Sequence, residues 1–160
     1  MKSYAIVGVG SRSYLYSDAL LGSFRDCGRL AGICDLNQVR MDYANRHFQE
    51  TYGIDPVPTY KPDRFEQMIA EGRVQTVIVT TIDRTHHHYI IRALEAGCDV
   101  ITEKPLTVDA GKCREVFCAL ERTGRVLRVT FNYRYSPRNS RIKQLLGEGV
   151  VGGVKSVHFE

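Results

Sequence analysis

Glycines 8 and 10, in the run Gly8-Val9-Gly10-Ser11-Arg12-Ser13, directly follow a short apolar run and precede a stretch of helical period. A glycine pair alone is weak evidence, because such pairs occur in many turns. Placed between a strand and a helix it reads as a phosphate-binding turn: Gly8 allows the tight bend, Gly10 lets a backbone approach a pyrophosphate, and N–H groups at the helix start favour the negative charge. Ser11 lies inside the turn and counts among its binding residues. Ser13 stands at the third glycine position, where a small side chain still permits helix and strand to pack closely. Arg12 reaches a phosphate or lies in solvent, and its residue type leaves both open.

Asp35 ends a second apolar run, Gly32-Ile33-Cys34-Asp35. A carboxylate there can accept from an adenosine ribose and would repel the extra phosphate of NADP, which favours NAD as the cofactor. It could equally cap the helix that follows, and the two roles are compatible. Ligands of such sheets sit beyond the carboxyl ends of the strands. Three more groups fall there: Thr80-Thr81-Ile82-Asp83, Glu103-Lys104-Pro105 and Asn132-Tyr133-Arg134-Tyr135. Proline disfavours a helical residue before it, so Lys104 is expected to be extended or in a turn, where its ammonium can polarise a hydroxyl or carbonyl oxygen.

These groups need a scaffold, and the apolar pattern supplies one. Short runs rich in Val, Ile and Leu at 4–9, 29–34, 74–80, 99–102 and 126–131, with a weaker one at 57–60, predict strands covered on both faces. Helical patterns at 14–27, 38–52, 62–71, 85–96 and 108–122 alternate with them, and Gly28, Gly53, Gly72, Gly97 and Gly124 stand as their stops. The fold class is therefore α/β, a doubly wound parallel sheet of the Rossmann type over residues 1–131. Beyond it, a loop at 132–137, a helix at 138–146 and an alternating run at 154–159 predict the start of a second, α+β domain. A lone strand leaves its backbone groups unsatisfied, so residues 132–160 are expected to be the truncated beginning of that domain.

The chain is 43% apolar and 25% charged, ordinary for a folded protein in water. Its five cysteines form no C-x-x-C pair or zinc spacing, so reduced thiols are expected. With neither a signal-peptide pattern nor a long apolar segment, the expected location is cytoplasmic, with no membrane partner. Residues 121–143 hold seven Arg or Lys against one Glu. Such a run is a solvated helix face, part of a subunit contact or an anion site, and without interleaved aromatics it does not predict nucleic-acid binding. No metal is expected: His86-His87-His88 project about 100° apart on a helix and do not converge on one ion. His87 and His88 read as a solvated helix start.

The run Asp99-Val100-Ile101-Thr102-Glu103-Lys104-Pro105-Leu106, preceded by Ala93-Leu94-Glu95-Ala96-Gly97, resembles the E-K-P signature of the Gfo/Idh/MocA family of NAD(P)-dependent oxidoreductases. The likeness extends from the glycine turn to the approach at Gly149-Val150-Val151-Gly152. It implies hydride transfer between NAD and a secondary alcohol of a sugar, inositol or related polyol. It further implies that Gly8, Gly10 and Asp35 hold the dinucleotide, that Thr80 and Thr81 flank its ribose or nicotinamide side, and that Glu103 and Lys104 lie at the nicotinamide and substrate. Lys104 would be the catalytic residue that contacts the reacting hydroxyl. His86, Asn132 and Arg134 match family positions near the site and are expected to contact the cofactor, whereas Asp83 falls where many relatives carry Asn. The family's second domain supplies most of the substrate pocket and an acid–base pair, commonly an Asp and a His. The full-length enzyme would be a homo-oligomer. An NAD-dependent glycosidase of the same family and a non-catalytic NAD-binding module are the alternative readings.

Overall fold

The computed structural model describes residues 1–158. Six parallel strands, β1 (Lys2–Val7), β2 (Gly28–Cys34), β3 (Thr59–Tyr60), β4 (Thr76–Val79), β5 (Asp99–Glu103) and β6 (Leu127–Thr130), form one sheet in the order β3-β2-β1-β4-β5-β6. The order reverses between β1 and β4, the switch point at which doubly wound sheets bind ligands. Helices α1 (Tyr14–Leu21), α2 (Gln38–Tyr52), α3 (Phe65–Gly72), α4 (His86–Glu95) and α5 (Ala110–Thr123) make the crossovers.

Successive strand residues point to opposite faces, and both faces are apolar. Ala5, Val7, Val77, Val79 and Val100 join Phe65 and Met68 of α3, Ile90 and Leu94 of α4 and Val116 of α5 in one core. Ile6, Leu30, Ile33 and Ile78 pack with Leu20 of α1 and with Met41, Ala44 and Phe48 of α2 in the other. The three α2 residues recur at helical spacing, so a single stripe of that helix is buried.

Three of the five expected glycine stops take a left-handed conformation, Gly53 (φ 65°), Gly97 (φ 81°) and Gly124 (φ 63°). The other two do different work. The first helix ends at Leu21, capped by Gly22, and Gly28 instead opens β2, where a Cβ would lie 2.6 Å from the Tyr4 ring. Gly72 remains helical and buried, because a Cβ there would stand 3.1 Å from that of Ala31 and 3.0 Å from Val74. Its smallness lets α3 lie on β2, and the left-handed turn falls one residue later on Arg73 (φ 46°, ψ 48°).

By contact density the chain divides into two units, one of residues 1–130 and one beginning at Phe131. The second holds a 3-10 turn, Asn132–Tyr135, and α6 (Pro137–Gly147), which starts with proline at its first position. Asn139 Nδ2 donates to Tyr133 O (2.9 Å), tying the turn to the helix. The alternating run expected as a strand is not one over residues 154–158, and Phe159 lies outside the described residues. Its alternation has no neighbouring strand among the described residues to complete a ladder.

Relief of the left-handed Arg73 should stabilise the fold. Removing a penalty of about 1–2 kcal/mol, less the roughly 0.4–1 kcal/mol lost to a freer unfolded chain, Arg73→Gly is expected to raise the unfolding free energy by about 0.5–1 kcal/mol in urea titrations.

Candidate active site

The turn after β1 is built around a backbone contact. Gly8 (φ 90°) donates its N–H to Cys34 O (2.8 Å), and a Cβ on it would stand 2.5 Å from Thr81 N and 2.7 Å from Thr80 C. Glycine is required here by conformation and by the closeness of the β4 end. Thr80 closes the contact from the other side, its Oγ1 donating to Gly8 O (2.6 Å). The Thr81 hydroxyl receives a bond from Thr85 Oγ1 (2.9 Å) and stays half-buried.

Gly10 serves differently. Its backbone is extended, and its missing Cβ would meet nothing within 4 Å. The need is for open space over the turn. Ser13, at the third fingerprint position, is buried and turns its hydroxyl back onto Gly10 O (2.6 Å), which accommodates the departure from glycine. Ser11 is exposed and lines a cleft of about 430 Å³ with Val9, Gly10, Tyr14, Val39, Arg40 and Tyr43. N–H groups of a first helical turn have no intrahelical acceptor, and α2 contributes Val39, Arg40 and Tyr43 to the lining.

Asp35 is 8% exposed. Its Oδ2 accepts from Val9 N (2.6 Å) and its Oδ1 from Asn37 N (2.8 Å), so one carboxylate fastens the β2 end to the glycine turn. The helix cap belongs to Asn37, whose Oδ1 accepts from Val39 N (2.9 Å) and Arg40 N (3.4 Å). That settles the second role left open for Asp35: it does not cap α2. Each carboxylate oxygen accepts more than one bond, so capacity for a ribose hydroxyl remains.

Beyond β5, Glu103 and Lys104 are neighbours with opposite surroundings. Glu103 is 5% exposed; its Oε1 accepts from Tyr16 Oη (2.8 Å) and lies 3.5 Å from Arg12 Nε. Arg12 is exposed, as one of its two expected places has it, and its guanidinium also pairs with Glu103. Tyr16 also meets Thr130 Oγ1 (2.7 Å), so the start of α1 is joined to the ends of β5 and β6. Lys104 is exposed, and its ammonium has no hydrogen-bond or ion-pair partner among the described residues. The Lys104–Pro105 peptide is cis.

His86 is enclosed, with its ring nitrogens on backbone carbonyls of Thr81 and Pro105. It therefore lies beneath the site, away from any surface a ligand could reach. His87 is half-buried and its Nδ1 lacks a partner, unlike the solvated position expected for it. His88 is exposed beside Arg92, and burial first, then that guanidinium, lower its pKa. Among the described residues no group of three His, Cys, Asp or Glu side chains could hold a metal ion, and no helix is long and apolar enough to cross a membrane. The described cysteines are free thiols.

Asn132 and Arg134 lie in the exposed 3-10 turn of the second unit, where Tyr133, Arg134 and Tyr135 wall an open cleft with Asn139, Lys143 and Gln144 of α6. The basic run is divided between the units: Arg122 pairs with Glu95 in the first, while Arg138, Arg141 and Lys143 are exposed on α6. Sequence reasoning missed Tyr16 and the cleft residues Arg40 and Tyr43. A helical pattern marks Tyr16 only as helix, and nothing local signals a partner 87 positions away.

Burial raises the Tyr16 phenol to about 12, with its bond to Thr130 opposing and the Glu103 carboxylate reinforcing the shift. Because this lies above the ordinary 10.0, the neutral phenol's contribution to stability is complete below pH 10 and is lost as pH rises toward 12. In a titration of phenolate absorbance, the difference between the wild-type chain and Tyr16→Phe is expected to develop near pH 12, and a midpoint near 10 would contradict the buried bond.

Comparison with known proteins bears on the family and the fold. Inositol 2-dehydrogenase from Gluconacetobacter diazotrophicus is 35% identical over 127 residues, covering 79% of this chain and 36% of that protein. A solved 3-ketoreductase from Actinomadura kijaniata, a variant in complex with TDP-benzene and NADP, superposes with a TM-score of 0.74 at 25% identity, over 96% of this chain and 46% of its own. The WlbA dehydrogenase from Bordetella pertussis, in complex with NADH and UDP-GlcNAcA, does so at 0.74 and 22% identity, over 95% and 44%, and shares the fold. The chain spans about a third of the length of the curated relatives it matches. Residues 2–131 match the oxidoreductase family with an NAD-binding Rossmann fold, and the chain belongs to that Gfo/Idh/MocA family.

Proposed function

We propose that this chain is the cofactor-binding part of an oxidoreductase that moves hydride between NAD and a secondary alcohol carbon of a sugar, inositol or related polyol. The observation that carries the reading is the exposed ammonium of Lys104, unpaired among the described residues, at the carboxyl end of β5, on the sheet edge that also bears the glycine turn. In this reading residues 1–131 are the dinucleotide domain, and 132–160 begin the substrate domain.

The residues present fit a dinucleotide. Gly10 leaves open the space a pyrophosphate would take, the first turn of the helical segment offers N–H groups, and Asp35 stands at the ribose end of the turn. A nicotinamide ring, when bound, supplies the hydride chemistry. The protein's share is to position and polarise. Lys104 would donate to the reacting oxygen and stabilise negative charge as it develops there. Glu103 makes no ion pair with that ammonium, and its Oε1 is engaged by Tyr16 and Arg12. The Asp35 charge beside the ribose position favours NAD over NADP, since a 2′-phosphate would meet a carboxylate.

Calorimetric titration of the 160-residue chain with NAD and NADP is expected to show binding of both, with NADP weaker by about tenfold or more. Failure of both to bind would remove the reading. In the full-length enzyme, Lys104→Met is expected to keep NAD affinity within about twofold while turnover falls roughly 10²–10³-fold. Retained turnover would rule out Lys104 as the polarising group.

A further inference from the structure

His86, the first residue of α4, is 1% exposed, and a polar ring so enclosed is costly unless its nitrogens are bonded. Nδ1 lies 2.8 Å from Pro105 O and Nε2 lies 3.0 Å from Thr81 O. A carbonyl oxygen only accepts, so each bond is a donation from a ring N–H: a neutral ring serves one carbonyl at a time and an imidazolium serves both. The two acceptors belong to different loops. Thr81 sits in the loop after β4, pressed against Gly8, and Pro105 directly follows Lys104. The β4–β5 ladder ends at the pair Val79↔Thr102, and past that point the His86 ring bridges the two chains.

We propose that His86 is a positioning residue that sets the gap between the Thr80-Thr81 loop and the Glu103-Lys104-Pro105 loop, and with it the placement of the Lys104 ammonium, while touching neither cofactor nor substrate. An aliphatic side chain could fill the same volume but could donate to neither carbonyl. The consequence for the nicotinamide end rests on the reading in the preceding subsection; the bridge itself does not.

Three variants separate the two bonds. The amide nitrogen of His86→Asn can replace Nδ1 and keep Pro105, that of His86→Gln can replace Nε2 and keep Thr81, and His86→Leu keeps neither. Amide hydrogen exchange is measured on the 160-residue chain, and a lost bond of ordinary strength should speed local opening about tenfold. In His86→Leu the amides of residues 81–84 and of Leu106 and Thr107 should all exchange faster. His86→Asn should restore only Leu106 and Thr107, and His86→Gln only residues 81–84. General loosening of the fold would not produce that crossed rescue. Bound NADH adds a spectroscopic readout: its nicotinamide emission should shift toward that of free NADH in His86→Leu, while affinity for ADP-ribose, which lacks nicotinamide, stays within about twofold.

Wild-type exchange rates in both loops of His86→Leu, or equal acceleration of both loops in all three variants, would overturn the proposal. If His86→Leu does not fold, the opposed patterns of the Asn and Gln variants decide it. A wild-type chain that binds neither NADH nor ADP-ribose would defeat the cofactor reading, and the exchange pattern would still decide the bridge.

Discussion

Gly8 is where the end of β1 and the loop after β4 touch backbone to backbone, with no room between them for even a methyl group. The other features of the binding edge are built out from this contact. Thr80 can reach Gly8 O only because the two chains are that close, and the tight turn at Gly8 brings Val9 N to the Asp35 carboxylate. Three strand ends are thereby joined by short bonds before any ligand arrives. A binding edge ordered in advance loses less conformational freedom on association, which is how such a turn gains affinity for a flexible dinucleotide.

The edge also carries two nearly buried carboxylates, a costly arrangement unless each is well supplied with donors. Asp35 receives two backbone N–H groups; Glu103 receives the Tyr16 phenol and stands beside the Arg12 guanidinium. Each acid therefore serves as a fastener between elements distant in sequence. The pairing has an electrostatic consequence for its neighbour. With the Glu103 Oε1 engaged on the α1 side, the adjacent Lys104 keeps an ammonium unneutralised by any described side chain, the state a polarising group needs.

Glycines show most clearly which features of the fold were legible. Gly53 and Gly124 cap their helices in the left-handed region because nothing else presses on them, and a local rule sufficed to find them. Gly28 and Gly72 stood at equally plausible stops but answer to packing, one against the Tyr4 ring and the other against Ala31 and Val74. A stop signal and a packing requirement look the same in a sequence, and only the neighbour in space distinguishes them. Asp35 and Asn37 make the same point for caps: both residue types are suited to the role, and the nearness of Val9 N drew Asp35 away from it.

From the sequence alone came the alternation of strands and helices, the doubly wound class of sheet, the glycine turn between β1 and α1 and the E-K-P strand end. These rest on periodicity, glycine spacing and short motifs, all properties of neighbouring residues. Tertiary structure alone decided the partners. It turned Arg12 to Glu103, brought Tyr16 to a carboxylate 87 positions away, and enclosed His86 between two loops where the sequence had suggested a ligand contact. The physical reason is that a buried polar group must find a donor or acceptor among whatever the fold brings near it. Sequence spacing does not encode that choice until the sheet has closed.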